Sequence, residues 1–83
     1  MYYIIVFKSR QEALDLRNKL KNINVDSRTV NTPRTISTSC GISLQVYKTY
    51  IDNTIKIIKR SSYDTFIGVY LTNSDASYSK VIL

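Results

Sequence analysis

One residue in this chain is equipped for soft nucleophilic chemistry: Cys40, the only cysteine among 83 residues. Its thiolate, not its thiol, would attack a partner or hold a sulfur-sulfur bond, so the question is whether its surroundings favour the anion. Cys40 lies near the end of a polar, hydroxyl-rich segment from Asn31 to Gly41 (NTPRTISTSCG) and just before an alternating apolar run. Ser37, Thr38 and Ser39 offer hydrogen-bond donors to an anionic sulfur, and Arg34 offers a positive charge. Gly41 offers backbone that a partner can approach. Each residue also has a plainer use. Lone cysteines mostly serve as small buried hydrophobes, and Arg34 suits any wet surface. Pro33 shapes a loop, Ser37 and Ser39 close it through backbone hydrogen bonds, and Gly41 is best explained by a backbone geometry that favours glycine.

The remaining composition removes competing chemistries. There is no histidine, so serine and cysteine hydrolase triads and the commonest metal ligand are missing. One cysteine without histidine cannot assemble a four-coordinate zinc site within one chain, and no metal or cofactor is expected. An internal disulfide is impossible, which argues against a stapled secreted module and for the reducing cytoplasm. The apolar run Tyr2–Phe7 is too short to span a bilayer or form a signal-peptide core, so no membrane association is expected. An apolar fraction of 43% with only two Gly and one Pro excludes disorder and linker-rich chains. The net charge of +6 leaves an anionic partner open, but the twelve basic residues never run beyond two in a row, the pattern of a solvated surface.

Elements must position the Cys40 segment. Tyr2–Phe7 (YYIIVF) is continuously apolar and reads as a central strand, β1, buried on both faces. Ser9 and Glu12 have capping-box spacing, with the glutamate expected to reach back to the Ser9 N–H. The helix they start, α1, carries Ala13, Leu16, Leu20 and Ile23 on one face and ends where Asn22 or Asn24 turns left-handed. Val25–Val30 makes an edge strand, β2. After the loop, Ile42, Leu44 and Val46 alternate with Ser43, Gln45 and Tyr47 in a half-buried strand, β3. Thr49 and Asp52 signal a second helix, α2, with Ile51, Ile55 and Ile58 inward, and Thr65–Leu71 (TFIGVYL) gives β4, whose Gly68 marks a bulge or a close approach. The expected fold is therefore α+β, the ferredoxin-like βαββαβ two-layer sandwich, with two helices on one face of a four-stranded antiparallel sheet and the other face open. Residues 1–72 form this domain, and 73–83 are a polar tail that stays loose or adds a short edge strand.

Three pieces of the loop carry a resemblance: Pro33-Arg34, Ile36-Ser37 and Ser39-Cys40-Gly41, followed by Ile42 and Leu44. In this order and spacing, over roughly residues 2–71, the chain resembles a family of small bacterial proteins described as sulfur or selenium carrier-like. Thr35 departs from the acidic residue expected after the arginine, leaving the loop more basic. The resemblance implies that Cys40 receives sulfur or selenium as a persulfide or selenosulfide from a donor protein and passes it to an acceptor protein, so the chain is a carrier more than an enzyme with its own turnover. Arg34 would stabilise the anion, and Pro33, Ser37, Ser39 and Gly41 would support the loop. A lone cysteine fits that role because it has no resolving partner and must exchange with another protein's thiol.

The tyrosines support a different reading. Seven of them (2, 3, 47, 50, 63, 70 and 78) in a basic domain of this fold class invite comparison with RNA-recognition modules, where sheet aromatics stack on bases. Tyr2 or Tyr3, with Tyr47 or Tyr70, would face the open side. The RNA-binding consensus is absent from Ile42-Ser43-Leu44-Gln45-Val46, so a homodimer or another protein on the open face ranks ahead of nucleic acid. The alternative to a carrier is accordingly a non-catalytic protein- or RNA-binding domain.

Overall fold

The computed structural model describes residues 1–37 and 41–81. Five strands, β1 (Tyr2–Phe7), β2 (Ser27–Asn31), β3 (Ile42–Tyr47), β4 (Phe66–Thr72) and β5 (Tyr78–Val81), form one antiparallel sheet in the order β2-β3-β1-β4-β5. Two helices, α1 (Arg10–Asn22) and α2 (Ile51–Ser61), pack on one side of it. The sheet thus has one strand more than the four expected. The extra strand pairs Val81, Lys80, Ser79 and Tyr78 with Val69, Tyr70, Leu71 and Thr72 at the outer edge of β4.

The continuous apolarity of β1 is explained by its place in the middle. Ile4, Ile5, Val6 and Phe7 are all buried. Ile5 and Phe7 point into the main core with Ala13, Leu16 and Leu20 of α1, Ile58 of α2, and Leu44, Val46 and Val69 of the flanking strands. Ile4 and Val6 point the other way, into a smaller cluster. Each such aliphatic side chain contributes about 1.5–3 kcal/mol when fully removed from water. β2 lies at the edge, as its polar sequence requires, with Arg28 and Thr29 exposed. The β1–β4 register shifts so that Val6 faces Gly68 while Phe7 faces Phe66, which leaves Ile67 as the extra residue of a bulge. Gly68 also meets close neighbours: a Cβ there would lie 3.2 Å from Lys80 Cε and 3.5 Å from Tyr70 Cε1.

The helix ends follow local chemistry with two departures from expectation. α1 stops in a Schellman arrangement: Asn24 is left-handed at φ 61°, its N–H reaches Lys21 O (3.0 Å), and the Val25 N–H reaches Leu20 O (2.9 Å). Ile23, at the cap, is 48% exposed and not part of the inward face. At the start of α1, Ser9 Oγ accepts from the Glu12 N–H (3.3 Å), but Glu12 does not close the reciprocal box. Its carboxylate instead accepts from the N–H and hydroxyl of Thr65 (2.8 and 2.6 Å) and from the Asp64 N–H (3.1 Å), while Thr65 Oγ1 takes the Ser9 N–H (3.1 Å). The unpaired donors of the turn before β4 outcompete the local partner. α2 does not start at Thr49, which lies inside a 3-10 turn (Lys48–Tyr50); its cap is Tyr50, without a side-chain bond. Its inward residues are Thr54 and Ile58, flanked by Ile51 and Ile57, because Thr54 can be buried once its hydroxyl donates to Tyr50 O (2.9 Å). Ile55 is only half-buried and stands outside that stripe.

A second strap runs beside Glu12. Tyr63 donates to Asp15 Oδ2 (2.7 Å), Lys19 Nζ sits 3.1 Å from the same oxygen, and the ammonium lies 5.1 Å from the Tyr63 ring centre. Tyr63 in turn meets Phe7 edge-on at 5.2 Å, joining this polar surface to the core.

The Thr65 hydroxyl, followed by the backbone donors, holds the Glu12 carboxyl below its ordinary range. A depressed carboxylate contributes stability above its unfolded pKa, and that contribution is lost as pH falls through the folded value. Glu12→Gln is therefore expected to lower Tm at neutral pH, with the gap to wild type closing as pH drops below about 4.3, the ordinary glutamate value. Thermal melts by circular dichroism across pH 3–7 measure this.

Candidate functional site: the loop between β2 and β3

Antiparallel pairing of Asn31 with Ile42 closes the base of the loop. Immediately inside it, Thr32 is buried and its hydroxyl lies 2.7 Å from that of Ser43, which is fully buried on β3. Two enclosed hydroxyls thereby satisfy each other and pin the first residue of the loop to the sheet. Pro33 then starts a tight turn in which its carbonyl accepts from the N–H groups of Ile36 (2.9 Å) and Ser37 (3.1 Å).

The turn returns Ile36, the one aliphatic residue between Val30 and Ile42, to the sheet. It packs on the cluster of Ile4 and Val6 together with Tyr2, Val30, Ile67, Tyr70 and Tyr78. The face opposite the helices was expected to be open. It is covered in part by the loop, and for this reason Val6 and Ser43 are both 0% exposed without a helix above them.

Of the residues expected to build a thiol site, Pro33, Arg34, Ser37 and Gly41 have described positions; Thr38, Ser39 and Cys40 lie outside the described residues. Arg34 is exposed at the tip of the turn, and Pro33 and Ser37 are half-buried on its two sides. The turn brings Pro33, Arg34 and Ser37 together, whereas Gly41 belongs to the returning limb beside β3. Gly41 departs from expectation, since its φ is not positive and a Cβ built on it would meet nothing within 4 Å. Backbone geometry does not demand glycine there.

The structure gives a role to residues outside the expected thiol site. Ile36, in the sequence only part of the loop's resemblance and apolar in a polar stretch, anchors the turn. Thr32 and Ser43 form the buried hydroxyl pair, which no local pattern announces. Arg10, from the first turn of α1, joins Thr29, Val30, Asn31 and Ile42 around an open depression at the base of the loop. Among the described residues there is no group of three or more acidic or cysteine ligands able to hold a metal ion, and no helix long and apolar enough to cross a membrane.

A sequence model of the family described as "Putative Se/S carrier protein-like" matches residues 2–66. The chain belongs to this family. The match runs from β1 to the first residue of β4 and so includes the whole loop, while the rest of β4 and all of β5 lie beyond it. No significant match exists among curated proteins or solved structures. In this Se/S carrier-like chain the loop is thus held at both ends and at its apolar centre.

Two substitutions separate anchoring from access. Ile36→Ala is expected to cost about 1–2 kcal/mol in denaturant unfolding, below the 2–5 kcal/mol range of fully buried sites, and to speed tryptic cleavage after Arg34. Gly41→Ala is expected to leave stability unchanged or raise it by about 0.4–1 kcal/mol, since alanine adopts this backbone without strain and narrows the unfolded ensemble. A destabilised Gly41→Ala protein in the same denaturation assay would restore the geometric explanation for the glycine.

Proposed function

We propose that this chain is a sulfur or selenium carrier that holds the atom on Cys40, built on a ferredoxin-like βαββαβ core with β5 appended. The observation that carries the reading is family membership across the segment containing the loop. The chemistry is a thiol exchange that needs no metal, external oxidant or internal base. The Cys40 thiolate attacks the outer sulfur of a donor persulfide. A bond from Cys40 to that sulfur forms as the donor's sulfur-sulfur bond breaks, and the donor cysteine leaves as its thiolate. An acceptor nucleophile then takes the outer sulfur, and Cys40 leaves as thiolate in turn. Oxidation levels are conserved in both steps. With one cysteine in the chain, the persulfide cannot collapse to an internal disulfide, and its release awaits another molecule. A donor and an acceptor protein are the partners this requires, and a reducing cytoplasm is the compartment that suits it.

Arg34 is the cation proposed to favour the sulfur anion, and the tolerance for a side chain at Gly41 leaves close access by a partner as the remaining use of that glycine. Incubation with a cysteine desulfurase and cysteine is expected to add one sulfur atom to the intact protein, seen by mass spectrometry, lost on reduction and absent in Cys40→Ser. Failure of wild type to gain a reducible adduct would remove the carrier reading. Arg34→Gln is expected to raise the midpoint of the pH profile for iodoacetamide labelling of Cys40 by about 0.5–1 unit, while Arg34→Lys stays near wild type.

A further inference from the structure

The face of the sheet away from the helices is chemically sorted in a way the scattered charges of the sequence did not suggest. None of the five strands contains an acidic residue, and their only charged residues are Arg28 and Lys80. Pairing places both on that face and in one row: Arg28 faces Gln45, Gln45 faces Ile4, Ile4 faces Tyr70, and Tyr70 faces Lys80. Four strand intervals separate the two cations, about 19 Å at the usual spacing. In the adjoining row Tyr47 pairs with Tyr2, and Tyr78 pairs with Thr72. Tyr47 is 51% exposed, and Tyr2, Tyr70 and Tyr78 are half-buried. Tyr3, by contrast, packs toward the helices with Tyr50 and Tyr63.

We propose that this face binds single-stranded RNA, with bases stacked on Tyr2, Tyr47, Tyr70 and Tyr78 and phosphates held by Arg28 and Lys80. Aromatic platforms flanked by cations are the physical requirement for such strands. Gln45 and the tyrosine hydroxyls give a ribose 2′-hydroxyl its hydrogen-bond partners. The aliphatic residues beneath, Ile4 and Val6, are already covered, so the face offers rings and polar tips more than the aliphatic area at the core of a permanent protein interface. A second copy is disfavoured for a further reason: a two-fold interface sets the same patch against itself, bringing Arg28 and Lys80 of each copy toward those of the other with no strand carboxylate to offset them. The proposal does not rest on the carrier reading, and Cys40→Ser is expected to bind RNA as wild type does.

Fluorescence anisotropy with short labelled oligouridylate and oligoadenylate at low salt tests it, with tyrosine emission as a second readout because the chain has no tryptophan. Binding is expected, with quenching of tyrosine emission and tighter affinity for RNA than for DNA of the same sequence. Tyr47→Ala should weaken binding about 5- to 100-fold, and Tyr70→Phe, which keeps the ring, should retain it. Arg28→Gln and Lys80→Gln should each reduce the slope of log affinity against log salt by about 0.7, and Lys56→Gln on α2 should change nothing. Tyr47 is exposed enough that its replacement leaves the fold intact by circular dichroism. No binding at low salt, or binding insensitive to Tyr47→Ala, would overturn the proposal. So would equal or tighter binding of DNA, or sedimentation equilibrium showing a dimer that Tyr47→Ala dissociates.

Discussion

β1 is apolar along both faces, and most of the architecture follows from having to cover each of them. On one side Ile5 and Phe7 bury against α1 and α2, which supply Ala13, Leu16, Leu20 and Ile58. On the other side no helix is available, yet Ile4 and Val6 are as thoroughly buried. Their cover is assembled from half-buried tyrosines of β1, β4 and β5 and from Ile36, brought over by the turn that starts at Pro33. A two-layer sheet with a bare second face would leave these aliphatic groups in water, at a cost of about 1.5–3 kcal/mol each. The loop is therefore part of the fold as well as the bearer of the thiol.

That dual role constrains how the thiol segment can behave. Its first limb is held by the Thr32–Ser43 hydroxyl pair and by Ile36, and its base is held by strand pairing. The polar tip, with Arg34 and Thr35, is exposed. The helix side of the molecule is fastened differently. Glu12, Asp15, Lys19, Tyr63 and Thr65 form a surface strap from α1 to the turn before β4, and its contacts set the ionisation of Glu12 and Asp15 below their ordinary ranges. The strap secures the helices over the main core, and the loop secures the second face.

The functional reading combines two features of that second face: the loop of a Se/S carrier-like chain begins there, and tyrosines with two cations occupy the remainder. On the proposed carrier reading, a chain with one cysteine acts only through other molecules, so surfaces that recognise them matter as much as the sulfur. The acidic residues, dispersed when read along the chain, prove spatially selective. The strands keep two cations and no carboxylate, while all acidic residues lie on helices, turns and connections.

Much of this could be read from residue order. The run of β1, the alternation of β3, the polar edge character of β2 and a left-handed stop at Asn22 or Asn24 are local patterns whose physics acts within a few residues; β1 and β3 formed where their patterns lie, the stop fell at Asn24, and β2 formed two residues later than Val25–Val30, at Ser27–Asn31. One cysteine and no histidine likewise meant, before any contact was known, that any thiol exchange at Cys40 has to be with another molecule. What the tertiary structure decided are choices between local and distant partners. Glu12 leaves Ser9 for Thr65 because the donors there would otherwise be unsatisfied, and Thr54 displaces Ile55 from the buried stripe because a carbonyl one turn back accepts its hydroxyl. Tyr78–Val81 becomes a fifth strand because the edge of β4 offers open hydrogen-bonding groups. Whether a tyrosine faces helix or solvent, and that Ile36 closes the second face, depend on pairing between strands far apart in the chain, and no local spacing encodes that.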